Sequence, residues 1–170
     1  ATDKRGRVSV VGSREADDGQ LDAWLLHYDH KGRLLFSELF DFAGENDTAR
    51  AVTVDGRRHI IVAGQVSING QSDMFLRKYN RRGQLLWSIT DGQPDRDEVI
   101  TGVATDYRRF IVVTGRQGQQ LFIRKYSKCG HLIWERTIDE AAGTAIATDN
   151  RRNIIVVGHI FADGKLDQLV

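Results

Sequence analysis

The chain has 170 residues, of which 41% are hydrophobic and 28% charged, and its formal net charge is +1 at pH 7. These values are ordinary for a globular protein with a core of its own. No apolar run approaches the roughly 20 residues of a transmembrane helix, so we expect no membrane span. The single cysteine, Cys129, excludes an intrachain disulfide.

Short apolar runs rich in β-branched residues follow one another along the chain and predict strands. In chain order, the predicted strands cover residues 8–12, 23–28 and 33–40, then 48–54, 59–64, 74–79 and 84–90, then 99–105, 110–115, 121–126 and 131–138, and finally 143–148 and 153–158. No stretch has the pattern of an amphipathic helix. The sequence therefore predicts an all-β protein.

The strands recur as one repeated unit. The pieces HIIVAG, FLRKY and GQLLW of the second unit return as FIVVTG, FIRKY and GHLIW, and an Asp before a basic turn recurs at Asp3, Asp55, Asp106 and Asp149. Self-similarity at intervals of roughly 40 to 50 residues indicates a repeat architecture. We divide the chain into repeats at residues 1–47, 48–97 and 98–141, with a partial repeat at 142–170.

Each repeat contains four strands, here named A to D in chain order. Its turns carry Asp, Asn and Gly, as in Asn69-Gly70 between strands B and C, which favours short hairpins. Locally paired strands of this kind form antiparallel meander sheets. We therefore predict a β-propeller of four-stranded blades, about three and a half of them, with strand A innermost because its small side chains fit a crowded axis.

The pattern Asp-x-x-x-x-(Ile/Val)-x-Val-x-Gly, followed by (Leu/Arg)-x-(Lys/His)-Tyr and Gly-x-Leu-x-Trp, resembles the bacterial β-propeller repeats called SBBP repeats. The C–D hairpins FLRKYNRRGQLLW and FIRKYSKCGHLIW also resemble the repeats of quinoprotein (PQQ-type) propellers. Phe36 replaces the Trp of the first hairpin, and paired arginines replace the Asp-Gly-Asn turn of the SBBP pattern. The resemblance implies an extracellular or periplasmic location.

Three and a half blades would leave sheet edges unpaired. Because residues 147–158 repeat residues 1–12, the two ends of the chain supply the same strands rather than complementary ones. We expect the missing edges to be covered by the remaining blades of a longer chain or, alternatively, by copies of a homo-oligomer.

Charge is sorted between the two ends of the predicted sheets. The A–B and C–D turns are basic, as in Arg57-Arg58 and Arg81-Arg82, whereas the B–C and D–A connections are acidic. The acidic connections also vary most between repeats, and variable loops on a rigid scaffold are where binding specificity usually lies. We therefore predict a binding surface there, around Asp17, Asp18, Asp47, Asp95 and Asp97.

The expected function is a non-enzymatic scaffold that binds a protein, a small molecule or a carbohydrate through this acidic rim. We expect no catalytic residues and no cofactor, because the sequence contains no GxSxG, no P-loop and no dinucleotide fingerprint. The alternative is a fragment of a propeller enzyme, a quinoprotein-like oxidoreductase or a lyase or hydrolase, whose catalytic residues lie in missing blades.

Three further features carry weaker predictions. The carboxylates between Asp91 and Glu98 lack the spacing of a calcium loop, so whether an acidic loop binds calcium stays open. The five histidines have no metal-ligand spacing. The arginine pairs have no interleaved aromatic residues for base stacking, which argues against nucleic acid as a partner.

Overall fold

The structure, a computed structural model, describes residues 1–42, 44–162 and 165–169. These residues form antiparallel strands in four sheets, so the predicted all-β class is confirmed. They contain no helix, and therefore none that is long and apolar enough to span a bilayer.

Each sheet is a meander in which consecutive strands pair. The first sheet contains β1 (Val8–Glu15), β2 (Leu21–Tyr28) and β3 (Leu34–Phe40). The second contains β4 (Thr48–Val54), β5 (Ile60–Ile68), β6 (Gln71–Tyr79) and β7 (Leu85–Asp91). The third contains β8 (Glu98–Thr105), β9 (Ile111–Gln117), β10 (Gln120–Tyr126) and β11 (Leu132–Asp139). The fourth contains β12 (Ala141–Thr148), β13 (Ile154–Ala162) and β14 (Lys165–Leu169).

The B and C strands are longer than the apolar pattern predicts. In the second sheet, β5 continues four residues past the expected end at Gly64 and turns at Asn69 and Gly70, whose φ angles of 53° and 75° suit a two-residue hairpin. Gln65 and Ser67 of this extension are polar and alternate with Val66, which is 0% exposed, and Ile68, which packs on the core. The polar residues interrupt the continuous apolar run of the strand, although the alternation of its two faces continues to its end.

The interior lies between neighbouring sheets. Leu25 of the first sheet packs in one cluster with Ile60 and Val62 of the second. Ile61 of the second sheet packs in another cluster with Ile111 of the third. The two faces of each middle B strand thus enter different cores, which explains why these strands are apolar on both sides.

The A strands of neighbouring sheets lie side by side. Strand β4 contacts β8, and β8 contacts β12. The hydroxyl of Thr101 donates to the carbonyl of Gly143 at 2.6 Å, and that of Thr148 donates to the carbonyl of Thr105 at 3.0 Å. The small residues of strand A permit this close approach.

The C–D turns of the second and third sheets each rest on the preceding sheet. The carbonyl of Lys128 accepts hydrogen bonds from Lys78 Nζ (3.2 Å) and Trp87 Nε1 (3.3 Å). A Cβ atom at Gly130 would lie 3.3 Å from the Trp87 ring, and one at Gly83 would lie 2.9 Å from the ring of Phe36. The repeated aromatic position of strand D therefore packs between neighbouring sheets.

The outer faces of the first and last sheets are uncovered. Val10 of β1 is 46% exposed, whereas its equivalent in the second repeat, Val62, is 0% exposed. On the opposite face of the stack, Ile155 of β13 is 52% exposed, whereas its equivalent Ile61 is 0% exposed. Both outer faces therefore expose apolar side chains whose equivalents in the second sheet are buried in a core.

Candidate functional site

A cavity of about 510 Å³ opens where the second, third and fourth sheets meet. It lies at the starts of the A strands and beyond the glycines of the B strands, on the end of the sheets that carries the B–C and D–A connections. The polar side chains that line it include Arg50, Gln65, Asp97, Arg116, Thr144 and His159.

These residues occupy equivalent positions in different repeats but differ in chemistry. Arg50, Thr101 and Thr144 share one position in strand A. The residue after the common glycine of strand B is Gln65 in the second repeat, Arg116 in the third and His159 in the fourth. Packing positions elsewhere keep their residue type, as the apolar B strands do. The cavity is therefore chemically asymmetric although the backbone around it repeats.

Some of the polar groups in the cavity have partners within the chain. Arg50 Nε donates to Gln65 Oε1 at 3.0 Å, which fixes the Arg50 guanidinium at the wall. The Asp97 carboxylate accepts the backbone N–H of Ser72 at 3.1 Å. Arg116 is exposed, and its guanidinium has no acceptor among the described residues. Two guanidinium groups and a carboxylate therefore face the same solvent-filled space.

One side of the cavity is aromatic. The rings of His159 and Phe161 are 5.0 Å apart between centroids and nearly perpendicular. Phe161 is 37% exposed, although it is a large apolar residue. The cavity thus combines cationic donors, a carboxylate and an accessible ring.

Of the five acidic residues predicted as a binding surface, only Asp97 lines this cavity. Asp17 and Asp18 are exposed in the β1–β2 turn, where Asp18 Oδ1 caps the turn by accepting the N–H of Gln20 at 3.0 Å. Asp95 is exposed in the β7–β8 connection with a φ of 67°. These three residues are free to contact a partner, but they lie outside the cavity.

Asp47 differs from the expectation because it is 0% exposed. Its two carboxylate oxygens accept the backbone N–H groups of Phe42 at 2.7 Å and Ser67 at 3.2 Å. Burial raises the pKa of this carboxyl group, and these hydrogen bonds oppose that effect. Asp47 therefore orders the connection between the first two sheets and is not a surface charge.

The acidic connections hold no evident metal site. Among the described residues, no group of three or more His, Cys, Asp and Glu side chains could hold a metal ion. Burial raises the pKa of Asp73, and the charges of Asp91 and Asp97 raise it further. Asp73 and its neighbours therefore repel one another.

A buried charged cluster lies between the second and third sheets. Arg124 Nη1 donates to the buried Glu98 at 3.0 Å, and Arg124 Nη2 lies 3.4 Å from Glu135. Burial alone would lower the pKa of Arg124, but the bonds and charges of Glu98 and Glu135 outweigh burial and raise it. In the second repeat the equivalent Arg77 instead stacks on Phe40 and Phe42, 4.4 and 4.2 Å from the ring centroids. Both arginines join neighbouring sheets.

Apart from Asp97, the lining residues of the cavity were not predicted from the sequence. The available signal was the change of polar residue at a fixed position after the common glycine of strand B. That signal is visible only when the repeats are aligned and the strands are extended to their observed ends.

No protein-family model and no curated protein matches this sequence. The fold is similar to that of solved structures, among them a protein of unknown function from Bacteroides caccae, with a TM-score of 0.57 and 11% sequence identity. The match covers 95% of this chain and 57% of that protein, so this chain spans a little over half its length. At this identity the likeness concerns the fold alone.

Proposed function

We propose that the four sheets are blades of a β-propeller with the A strands around its axis, and that the protein is a non-enzymatic binding scaffold. The side-by-side A strands and the meander order of each sheet support the propeller arrangement. The resemblance to SBBP and quinoprotein repeats stays a prediction that agrees with it.

The ligand we propose is an acidic carbohydrate or a small polar molecule of the same chemistry. The observation that carries this choice is the cavity in which Arg50, Arg116 and Asp97 face one space beside the ring of Phe161. Arginine presents a fork of donors that suits a carboxylate. The Asp97 carboxylate can accept sugar hydroxyl groups, and an exposed ring can pack on the apolar face of a sugar.

We assign the exposed acids outside the cavity to contact with a second kind of partner. Asp17, Asp18 and Asp95 lie on the same end of the sheets as the cavity and are the proposed contact for a basic protein partner. Further sheets of the same repeat, from a longer chain or from a second copy, are the proposed cover of the two apolar outer faces.

The test is calorimetric titration with glucuronate and galacturonate oligosaccharides, compared with their neutral counterparts. We expect acidic sugars to bind and Arg116→Gln to weaken binding about tenfold or more, because a charge-assisted pair is lost. Arg14→Gln removes an exposed arginine of the first sheet and is the matched control, for which we expect no change. Equal binding of acidic and neutral sugars would contradict the proposed role of the arginines.

The same titrations distinguish the alternative function. Appearance of shortened or unsaturated sugar products over time would favour the propeller-enzyme alternative, with Asp97 and His159 as the first residues to substitute.

A further inference from the structure

A second cavity, of about 600 Å³, lies on the opposite end of the second sheet. It is formed by the A–B turn after β4 and the C–D turn after β6. Its charged lining consists of Arg57, Arg58, Arg81 and Arg82, together with His59. We call this cavity the arginine groove. No carboxylate lines it.

The first sheet adds arginines beside the groove. Burial lowers the pKa of Arg58, and the charges of Arg5, Arg81 and Arg7 lower it further. Arg5 and Arg7 belong to the turn before β1. Cationic groups from two neighbouring sheets therefore converge on Arg58.

The guanidinium group of Arg58 has a hydrogen-bond donor without a partner. Its Nη1 atom is buried and has no hydrogen-bond partner among the described residues. A buried guanidinium nitrogen without an acceptor is costly, and native proteins usually satisfy such groups. Because Nη1 has no contact with solvent in this arrangement, a ligand oxygen in the groove would reach it only after the Arg58 side chain shifts.

The nearby carboxylates have hydrogen-bond partners, although Asp3 Oδ2 is buried without one among the described residues. Asp55 accepts the backbone N–H groups of Arg57 (2.8 Å) and His59 (3.0 Å), and its second oxygen lies 3.3 Å from Lys78 Nζ. Asp3 uses Oδ1 to accept the N–H groups of Arg5 and Arg7, at 2.8 and 3.0 Å. The charge of Asp3 partly offsets that of Arg58. The groove thus keeps a large excess of positive charge.

The backbone at Arg58 also favours a different residue. Arg58, Arg109 and Arg152 have φ angles of 65°, 69° and 73°, and Gly6 takes the equivalent place in the first repeat with 72°. Side chains other than glycine and asparagine are unfavourable in this region. Three repeats therefore place arginine where glycine would fit better.

We propose that the arginine groove binds a multivalent anion made of linked tetrahedral oxyanions, either phosphate or sulfate groups. Four groove arginines exceed what one monovalent anion can neutralise, and guanidinium forks match the oxygen geometry of phosphate and sulfate. The groove has no Phe, Tyr or Trp side chain on which a base could stack, and its one ring, His59, is bonded to Asp55 at 2.9 Å, which disfavours nucleic acid. This ligand is distinct from the carbohydrate proposed for the first cavity, at the other end of the sheets.

The test is calorimetry with two probes that carry no uronate, inorganic tripolyphosphate and sucrose octasulfate, at about 0.05 and 0.5 M salt. We expect binding that weakens strongly at the higher salt. The double variant Arg58→Gln/Arg81→Gln should lose affinity about tenfold or more, because it removes two charge-assisted contacts.

The matched control is Arg109→Gln/Lys128→Gln, which makes the same charge change at equivalent turns of the third sheet. We expect it to change affinity less than about twofold, because only non-local charge is lost. Binding of either probe, with this difference between the variants, supports the proposal and identifies the source of the anion. Binding of neither probe, or equal losses in both variants, would overturn it. Uronate binding in the first cavity should be unchanged in both variants, so the two proposals fail separately.

Discussion

Lys78 Nζ lies 3.3 Å from Asp55 Oδ2, and the two side chains are 3% and 0% exposed. The equivalent pair in the third repeat, Lys125 and Asp106, is longer at 3.6 Å and more open, with Lys125 18% exposed. Removing one partner of a buried pair leaves an uncompensated charge. We expect Asp55→Asn to lower the free energy of unfolding by about 3 kcal/mol and Asp106→Asn to lower it less. Urea unfolding of both variants is the measurement, and equal losses would contradict the role of burial.

The Arg124 cluster predicts strong coupling between two buried residues. Arg124→Met alone leaves Glu98 buried without its main partner and should cost about 3–5 kcal/mol. The double variant Glu98→Met/Arg124→Met removes both charges, so its cost should fall short of the sum of the single variants by more than about 1 kcal/mol. A double-mutant cycle from urea unfolding measures this difference. Simple additivity would show that Glu98 and Arg124 act independently.

Two glycines in the C–D turns allow the cost of backbone strain to be measured separately from the cost of a steric clash with a neighbouring side chain. Gly32 and Gly83 have φ angles of 78° and 86°, but a Cβ at Gly32 meets open space whereas one at Gly83 meets Phe36 at 2.9 Å. We expect Gly32→Ala to cost about 1 kcal/mol from conformation alone. Gly83→Ala should cost a further 1–3 kcal/mol or so, because the ring must shift. Thermal unfolding of the two variants tests this order, and an equal cost would mean that the turn moves freely away from Phe36.

Asp29 predicts a specific acid dependence of stability. The backbone N–H of Arg33 lowers the pKa of Asp29 to about 2, against the opposing effect of burial and with help from the Arg33 guanidinium and the Lys31 N–H. A pKa below the unfolded value of about 3.9 means that the stabilisation is present above that pH and is lost as the pH falls toward 2. Asp29→Asn should therefore be less stable than the wild type at pH 6, and the difference should shrink at pH 3. A difference that does not change between the two pH values would contradict this origin.

The uncovered outer faces predict self-association of the 170-residue chain. Val10 and Ile155 are exposed where their equivalents form the cores, and apolar faces of this kind promote association. We expect a concentration-dependent mass in sedimentation, reduced by Val10→Asp or Ile155→Asp. Tyr107→Asp changes an exposed turn residue and is the control. A monomer at all concentrations would contradict the expectation.

The sequence predicted the apolar centre of each strand and missed several strand ends. Apolar alternation located every strand of the second and third sheets, because burial between two neighbours imposes it. The ends of β5 and β6 were missed because polar residues such as Gln65 and Ser72 interrupt the apolar runs there. The sequence also could not separate Asp47 from Asp97. Both acids lie in D–A connections and accept backbone N–H groups, but Asp47 accepts two and is buried, whereas Asp97 accepts one and stays exposed.

The docking of the C–D turn of the third sheet onto the preceding sheet makes Trp87 a natural optical probe. Its indole nitrogen bonds the carbonyl of Lys128, and Gly130 lies against its ring, although both residues belong to the next sheet. The emission of Trp87 therefore reports whether the third sheet is in place rather than whether its own strand is formed. Loosening of the third sheet should therefore be detectable at a residue of the second.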